Sequence, residues 1–257
     1  MKKILLITLF FFSSSAHAFS IKHNFDVHVG AFNASKTSFE YELNKNNYAI
    51  KSDVKTFGLF DSLYPFNAEY STTGKIKNEA FETSSYRYKS QSRFTNRSKE
   101  LVYDDKGNPI VSITTKNNKE KKKDIEQQLS NKDTTDLQTV FAKLAAQFNQ
   151  VKYCDSTMEV FDGRRRFNVI FKDEGQEELS ETNLSPFKGL ASKCSMYIDK
   201  LNENSDDLLW ETTSQKPVYF WILRDKKTNH PFIAKIEVSD TPLGKILVYT
   251  TQITVKE

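Results

Sequence analysis

Tyr153 to Phe171, YCDSTMEVFDGRRRFNVIF, holds two alternating runs that meet at Asp162-Gly163. Asp-Gly between such runs specifies a tight hairpin, because a type I′ turn needs positive φ at both central residues. With Asp162 and Gly163 in those places, Phe161 faces Arg164, Val160 faces Arg165, Glu159 faces Arg166 and Met158 faces Phe167. Met158, Val160, Phe167, Val169 and Phe171 then share a core face. Thr157, Glu159, Arg164, Arg166 and Asn168 share the other, with Glu159 and Arg166 as a cross-strand ion pair worth ~0.2–1 kcal/mol. Arg165 is the odd residue, on the apolar side beside the turn. It is either a rim arginine laying its stem over the core, or a fixed cation at the mouth of an apolar groove, gripping a carboxylate or phosphate through two bonds. A bulged turn would shift the register by one and exchange these roles.

The same period of two runs through most of the chain. Phe25, Val27 and Val29 alternate, then Phe39, Tyr41 and Leu43, then Tyr48, Ile50, Ser52 and Val54, each run bounded by Gly, Asn, Ser or Lys. His28 falls on the polar face of its run and is expected to be solvated. Glu69 to Tyr103 alternates again, Asp104 to Pro109 is a turn, and Ile110 to Thr115 is a further strand. Lys116 to Lys123, KNNKEKKK, is expected as a solvated hairpin tip, with an anionic membrane surface as the alternative. Pro217 to Leu223, PVYFWIL, is a buried strand. Ile233 to Val238 and Ile246 to Val255 are joined by a turn at Asp240 to Gly244.

Two stretches break the alternation. Leu137, Val140, Phe141, Leu144, Ala145 and Phe148 recur at helical spacing, predicting a helix over 135–149 whose stripe lies on the sheet. Thr135 and Gln138 have the capping-box spacing. Thr56 to Phe66, TFGLFDSLYPF, carries six large apolar residues in eleven. Gly58 and Pro65 argue against a long helix, so this is a short loop. It is either a core plug or a cover over an apolar groove.

The opening MKKILLITLFFFSSSAHAFS has a basic start, an apolar run and Ala16-His17-Ala18 before Phe19, the pattern of a secretory signal peptide over 1–18. The apolar run is too short for a permanent span. One β-rich domain, 19–257, is expected to follow as a periplasmic monomer without a transmembrane segment. The formal net charge is +4, half of it from Lys2 and Lys3, too balanced to point to nucleic acid. Cys154 and Cys194 are the two cysteines. In an oxidising compartment an even pair is expected as a disulfide, worth about 4 kcal/mol for a loop of that length. Two distant cysteines are too few for a zinc site.

No G-x-S-x-G, H-E-x-x-H or phosphate-cradling glycine loop is present, and the histidines have no metal-ligand spacing. No positive feature supports catalysis, a cofactor or a metal, so the chain is expected not to be an enzyme.

The segments VHVGAFNAS, YAIKSDVKTFGLFDSLYPF, YDDKGNPI, TTDLQTVFAKL, CDSTMEVFDGRRRFNVIF and DTPLGKILVY occur in that order. Together they resemble the exported bacterial family called domain of unknown function 3108, in its alphaproteobacterial form. The resemblance covers nearly the whole chain after the leader. Its most specific parts are FDGRRRF, Phe161 to Phe167, and the two cysteines. Leu137 departs from it, since a proline is expected after Asp136. The family implies an envelope protein whose curved antiparallel sheet wraps a helix, similar to the periplasmic lipoprotein carriers. It implies no known activity, and a lipid-binding role taken from those carriers is an analogy of fold.

The expected architecture is therefore mainly β: a single curved antiparallel sheet, a half-barrel or open barrel, around one α-helix, with one disulfide. Two functions remain open. In one, the groove binds a lipid or acyl chain, covered by Phe57, Leu59, Phe60, Leu63 and Tyr64, with Arg165 at its polar end. In the other, side chains fill the groove and the protein docks another envelope protein, for instance by strand addition. A cavity of ~300 Å³ or more favours the first, and a solid core the second.

Overall fold

The computed structural model describes residues 19–125, 133–201 and 216–256; the segment expected to be a signal peptide, 1–18, lies outside them. The elements are β1 (Phe19–Val29), β2 (Phe32–Leu43), β3 (Asn47–Thr56), α1 (Gly58–Leu63), β4 (Phe66–Lys77), β5 (Ala80–Ser92), β6 (Asn96–Tyr103), β7 (Pro109–Lys116) and β8 (Lys119–Asp124). After them come α2 (Leu137–Val151), β9 (Ser156–Phe161), β10 (Arg166–Leu179), β11 (Gly189–Lys200), β12 (Val218–Arg224), β13 (Pro231–Thr241) and β14 (Gly244–Lys256). The strands form one sheet of fourteen, in the order β8 back to β1, then β14 back to β9. Every ladder is antiparallel, and every one but β1–β14 joins strands adjacent in sequence. The expected single antiparallel sheet is what forms, and its ladder does not close into a barrel.

Curvature brings the two ends of this sheet together. Gly163, in the β9–β10 turn, lies against β6 and β7: a Cβ there would meet Leu101 Cδ2 at 2.9 Å, Lys99 Cδ at 3.2 Å and Ser112 Oγ at 3.3 Å. Its φ of +88° is one that side chains avoid, so glycine is required twice over. Leu101, Tyr103, Ile125 and Phe161 pack as a buried cluster across this seam. The two edges are protected differently. Thr135 makes a parallel bridge with Val160, its N–H donating to Glu159 O at 3.0 Å and its carbonyl accepting from Phe161 N at 3.0 Å. At the other edge all six residues of β8 are exposed, and four are lysines, which oppose pairing with another strand.

The helix sits inside this curve and touches β4, β5, β9 and β13. Val140, Leu144 and Phe148 pack with Val160, Phe167, Val169, Phe171, Phe220 and Ile222. The helix begins one residue later than the capping-box spacing implies. Asp136 is the cap, and Thr135 is used by the sheet instead. Leu137, expected inside, is 39% exposed, while Gln138, Thr139 and Val140 of the same turn are buried. Phe141 is half-buried, edge-on to Phe171 at 6.1 Å between centroids. Lys152 ends the helix in the left-handed region, its N–H returning to Phe148 O.

The Asp136 carboxylate is 1% exposed and accepts five hydrogen bonds. Oδ1 takes them from Thr72 Oγ1 (2.8 Å), Gln138 N (3.0 Å) and Thr139 N (3.1 Å); Oδ2 takes them from Thr83 Oγ1 (3.0 Å) and Thr139 Oγ1 (2.6 Å). Thr72 is on β4 and Thr83 on β5, so one carboxylate fastens the helix start to two strands. Tyr48 joins the cluster through Thr83 Oγ1 (3.1 Å) and Thr139 Oγ1 (3.0 Å). Its ring occupies the space of a missing side chain at Gly74, where a Cβ would fall 2.3 Å from Cε1.

Other expectations need correction. The β9–β10 turn is centred on Gly163 and Arg164, not on Asp162 and Gly163. Phe161 pairs with Arg166, Val160 with Phe167 and Met158 with Val169. Gly163 alone in this turn has positive φ, and Asp162 instead closes the turn by accepting from Arg164 N (2.9 Å) and Arg165 N (2.8 Å) through Oδ1. Because partners shift by two, the faces are unchanged: Val160, Phe167, Val169 and Phe171 are buried, and Arg166 pairs diagonally with Glu159. Cys154 and Cys194 form the disulfide, Cα atoms 6.1 Å apart, tying the segment after α2 to β11. Thr56–Phe66 is not a core plug: it contains α1, which has no buried residue.

Asp136→Ala strips one cap and leaves buried hydroxyls and amides without their acceptor. The expected cost is about 3–5 kcal/mol, above the usual loss of a cap, read from denaturant unfolding. A loss no larger than that of an exposed helix cap would show that the network carries no stability.

Candidate functional site

A fifteen-residue helix cannot fill the concave side of so wide a sheet. It packs against the β9–β12 wall and leaves a gap toward β1 and β2. That gap is a partly open cavity of about 330 Å³. Ile21, His23, Phe25 and Val27 of β1 line it, with Thr37, Phe39 and Tyr41 of β2 and Ser52 of β3. Phe141, Ala142, Leu144, Ala145 and Phe148 form the helix side. Ile222 of β12, Pro231, Phe232, Ile233 and Ile236 of β13, and Val248 of β14 complete it. No lining residue carries a charge at neutral pH, and only His23, Thr37, Tyr41 and Ser52 have polar side-chain atoms.

Two of those polar groups are withdrawn from solvent. His23 is 7% exposed, its ring among Phe25, Phe39 and Phe232 at 5.8–6.2 Å, and its Nε2 has no hydrogen-bond partner among the described residues. Burial pushes its pKa down to about 4, so the imidazole is neutral at ordinary pH. Tyr41 OH is likewise buried without a partner among the described residues, and burial, then the neighbouring Tyr48, raises its pKa. The wall offers a ligand hydrocarbon and aromatic surface. Hydrophobic contact is what such a wall can offer.

The site residues expected from sequence lie elsewhere. Phe57, Leu59, Leu63 and Tyr64 are 43–73% exposed, Phe60 is half-buried, and none of the five lines the cavity. The covering role is therefore corrected: α1 sits outside, on the β2–β3 end, with Lys36 Nζ 4.3 Å from the Phe57 ring. Arg165 is not at the cavity either. Its Nε and Nη2 both reach Asp162 Oδ2 at 2.7 Å, and Lys99 Nζ of β6 donates to Asp162 O at 2.6 Å, 3.8 Å from Oδ1. Burial alone would raise the Asp162 pKa, but Lys99, the Arg165 amide and the Arg165 guanidinium outweigh it and hold the carboxyl below the usual range. Asp162, Gly163 and Arg165 thus latch the seam, with Glu159 and Arg166 paired beside them, while Arg164 is exposed. His28, expected in solvent, is 6% exposed and edge-on to Tyr249 at 6.1 Å, next to a register shift between β1 and β2.

Sequence reasoning missed His23, although its parity with Ile21 and Phe25 places it inward. It also missed Thr72, which shares an inward face with Ala68 on β4. A hydroxyl at a core-facing position is the available signal that a buried polar partner waits opposite.

The family model described as "Protein of unknown function (DUF3108)" matches residues 24–246, and the chain belongs to that family. No curated protein matches it. Among solved structures it is similar to the "Beta-barrel-like Protein of Domain of Unknown Function DUF1849 from Brucella abortus". The TM-score is 0.55 at 10% identity, covering 93% of this chain and 98% of that one, a likeness of fold. No described helix is long and apolar enough to cross a membrane.

A histidine with a lowered folded pKa binds fewer protons than the unfolded chain, so its contribution is present above the unfolded value and lost as pH falls from about 6.5 toward 4. Stability should drop by on the order of 2–3 kcal/mol across that window, and His23→Phe should remove most of that drop. An unaltered pH profile in the variant would show that His23 is not held neutral. Arg165→Lys keeps the charge but loses the planar fork. It should lower the melting temperature by a few degrees, equivalent to about 1 kcal/mol; an unchanged melting temperature would show that the fork carries no stability.

Proposed function

We propose that this DUF3108 protein holds a hydrophobic ligand, a lipid or acyl chain, in the groove between α2 and β1–β2, as a non-catalytic protein of the periplasm. The observation that carries this reading is the cavity of about 330 Å³ lined without a charged side chain. Its size falls in the range of small-molecule sites, whose walls are mostly apolar. An alkyl or isoprenoid tail suits such a wall. A charged head does not, since no lysine, arginine or carboxylate lines the space to replace its hydration. The tail therefore enters and the head stays at the opening.

The same observation weighs against a purely docking protein, for which a core filled by its own side chains was the expectation. The signal-peptide pattern of 1–18 and the disulfide fit an oxidising compartment.

The test is mass spectrometry of organic extracts from the gently purified protein, with titration by a dansylated undecanoic acid. One lipid per chain is expected, and one saturable probe site. Ala145→Phe, placed on the cavity side of the helix, should weaken the probe roughly tenfold or more, about 1.4 kcal/mol, while the fold still melts cooperatively. Equal affinity in the variant, or an empty protein that takes up no probe, would reject the ligand reading.

A further inference from the structure

In an antiparallel meander every second turn lies on the same rim. The β1–β2 turn, α1, the β5–β6, β7–β8 and β9–β10 turns and the β13–β14 turn all fall on one rim of this sheet. That rim carries most of the exposed large apolar side chains among the described residues. Phe32 is 56% exposed, Leu63 55%, Tyr64 73%, Phe94 83% and Leu243 63%, and they stand on four different connections. Large apolar side chains gathered on neighbouring turn tips of one rim are the kind of exposure that marks an interaction site.

Cations stand among them. Arg93 adjoins Phe94 and reaches Ser62 O of α1 at 3.4 Å, Arg97 pairs across the ladder with Lys116, and Lys116 pairs with Lys119. All four are exposed. On the opposite rim the turns at 44–46, 78–79, 104–108 and 225–230 carry no exposed large hydrophobic residue, and the exposed ones there, Val151, Tyr153, Leu184 and Leu190, flank the α2–β9 and β10–β11 connections.

We infer that the rim bearing Phe32, Leu63, Tyr64, Phe94 and Leu243 docks on an anionic lipid surface. Single aromatic and aliphatic tips on separate turns match a fluid interface, where each side chain sinks independently. Lysines and arginines beside them meet the negative headgroups. A folded protein partner would need a pocket for each tip and a shape for the gaps between; a bilayer needs neither. The inference is independent of what the cavity holds, because no residue of the rim named here lines it.

The experiment is co-sedimentation of the chain from Phe19 onward, which contains every described element, with two sets of vesicles. One is phosphatidylcholine alone, the other equal parts phosphatidylcholine and phosphatidylglycerol. The protein should sediment with the anionic vesicles only, and added salt should release it. Arg93→Ala and Lys116→Ala should each lower the partition coefficient about fivefold. Phe94→Asp with Leu63→Asp should abolish binding, whereas Leu190→Asp, at the opposite rim, should not change it. Each variant is at an exposed site, so its melting temperature confirms that it folds. Failure of the folded wild type to bind the anionic vesicles, or equal loss in Leu190→Asp, would overturn the inference. Neither result depends on the ligand titration, so the two readings fail separately.

Discussion

The carboxylate of Asp136 is the point from which the interior is built. A charge this deep would be prohibitive alone. Two helix amides and three threonine hydroxyls replace its water, and the positive end of the helix dipole adds to them. Among the described residues it has no ion-pair partner, so dipoles carry the burden. Its charge is felt nearby: burial first, and then Asp136, pushes the Tyr48 and Tyr103 hydroxyls above their ordinary range. The residue before it, Thr135, continues the sheet beside β9. Two consecutive residues therefore close the sheet's edge and aim the helix. With the helix start held on the β4–β5 side, its stripe can seat only along one wall, and the cavity is the space left over.

FDGRRRF belongs to the same closure. Asp162 accepts from its own turn, Arg165 forks onto it, and Lys99 reaches across from β6. Gly163 lets the turn lie flat on Leu101. The seam is thus stitched by side chains and one glycine rather than by a strand ladder. A half-barrel fastened this way keeps its curvature, and hence its groove, without filling it.

The sheet was legible because period two leaves little choice, and the helix because its stripe is the one helical pattern in the chain. Faces survived even where register did not: the β9–β10 partners moved by two, and an even shift keeps each residue on its side. Exposure of TFGLFDSLYPF was not legible. Apolar composition says that a stretch avoids water, not whether the cover is the protein itself. Asp136 was read as a neighbour of the cap rather than the cap, since capping-box spacing weighs Thr135 and Gln138 alone. The buried Thr72 and Thr83 that choose Asp136 are remote in sequence. The cavity was legible only as a possibility of the architecture, because its volume depends on where the helix stops against the wall.

The β1–β14 ladder has a consequence for how the chain reaches this state. Every other ladder joins neighbours in sequence and can zip as a hairpin, whereas Asn24 and Gln252 meet across 228 residues. The sheet is therefore two local meanders, β1–β8 and β9–β14, married by a single long-range seam. Closing it carries the largest loop entropy in the molecule and delivers its reward last. β1 is made early yet must wait for β14, and until then one of its edges has no ladder partner. In a chain made from its N-terminus, the open edge of β1 therefore stands unpaired through most of synthesis, the kind of edge on which chains aggregate.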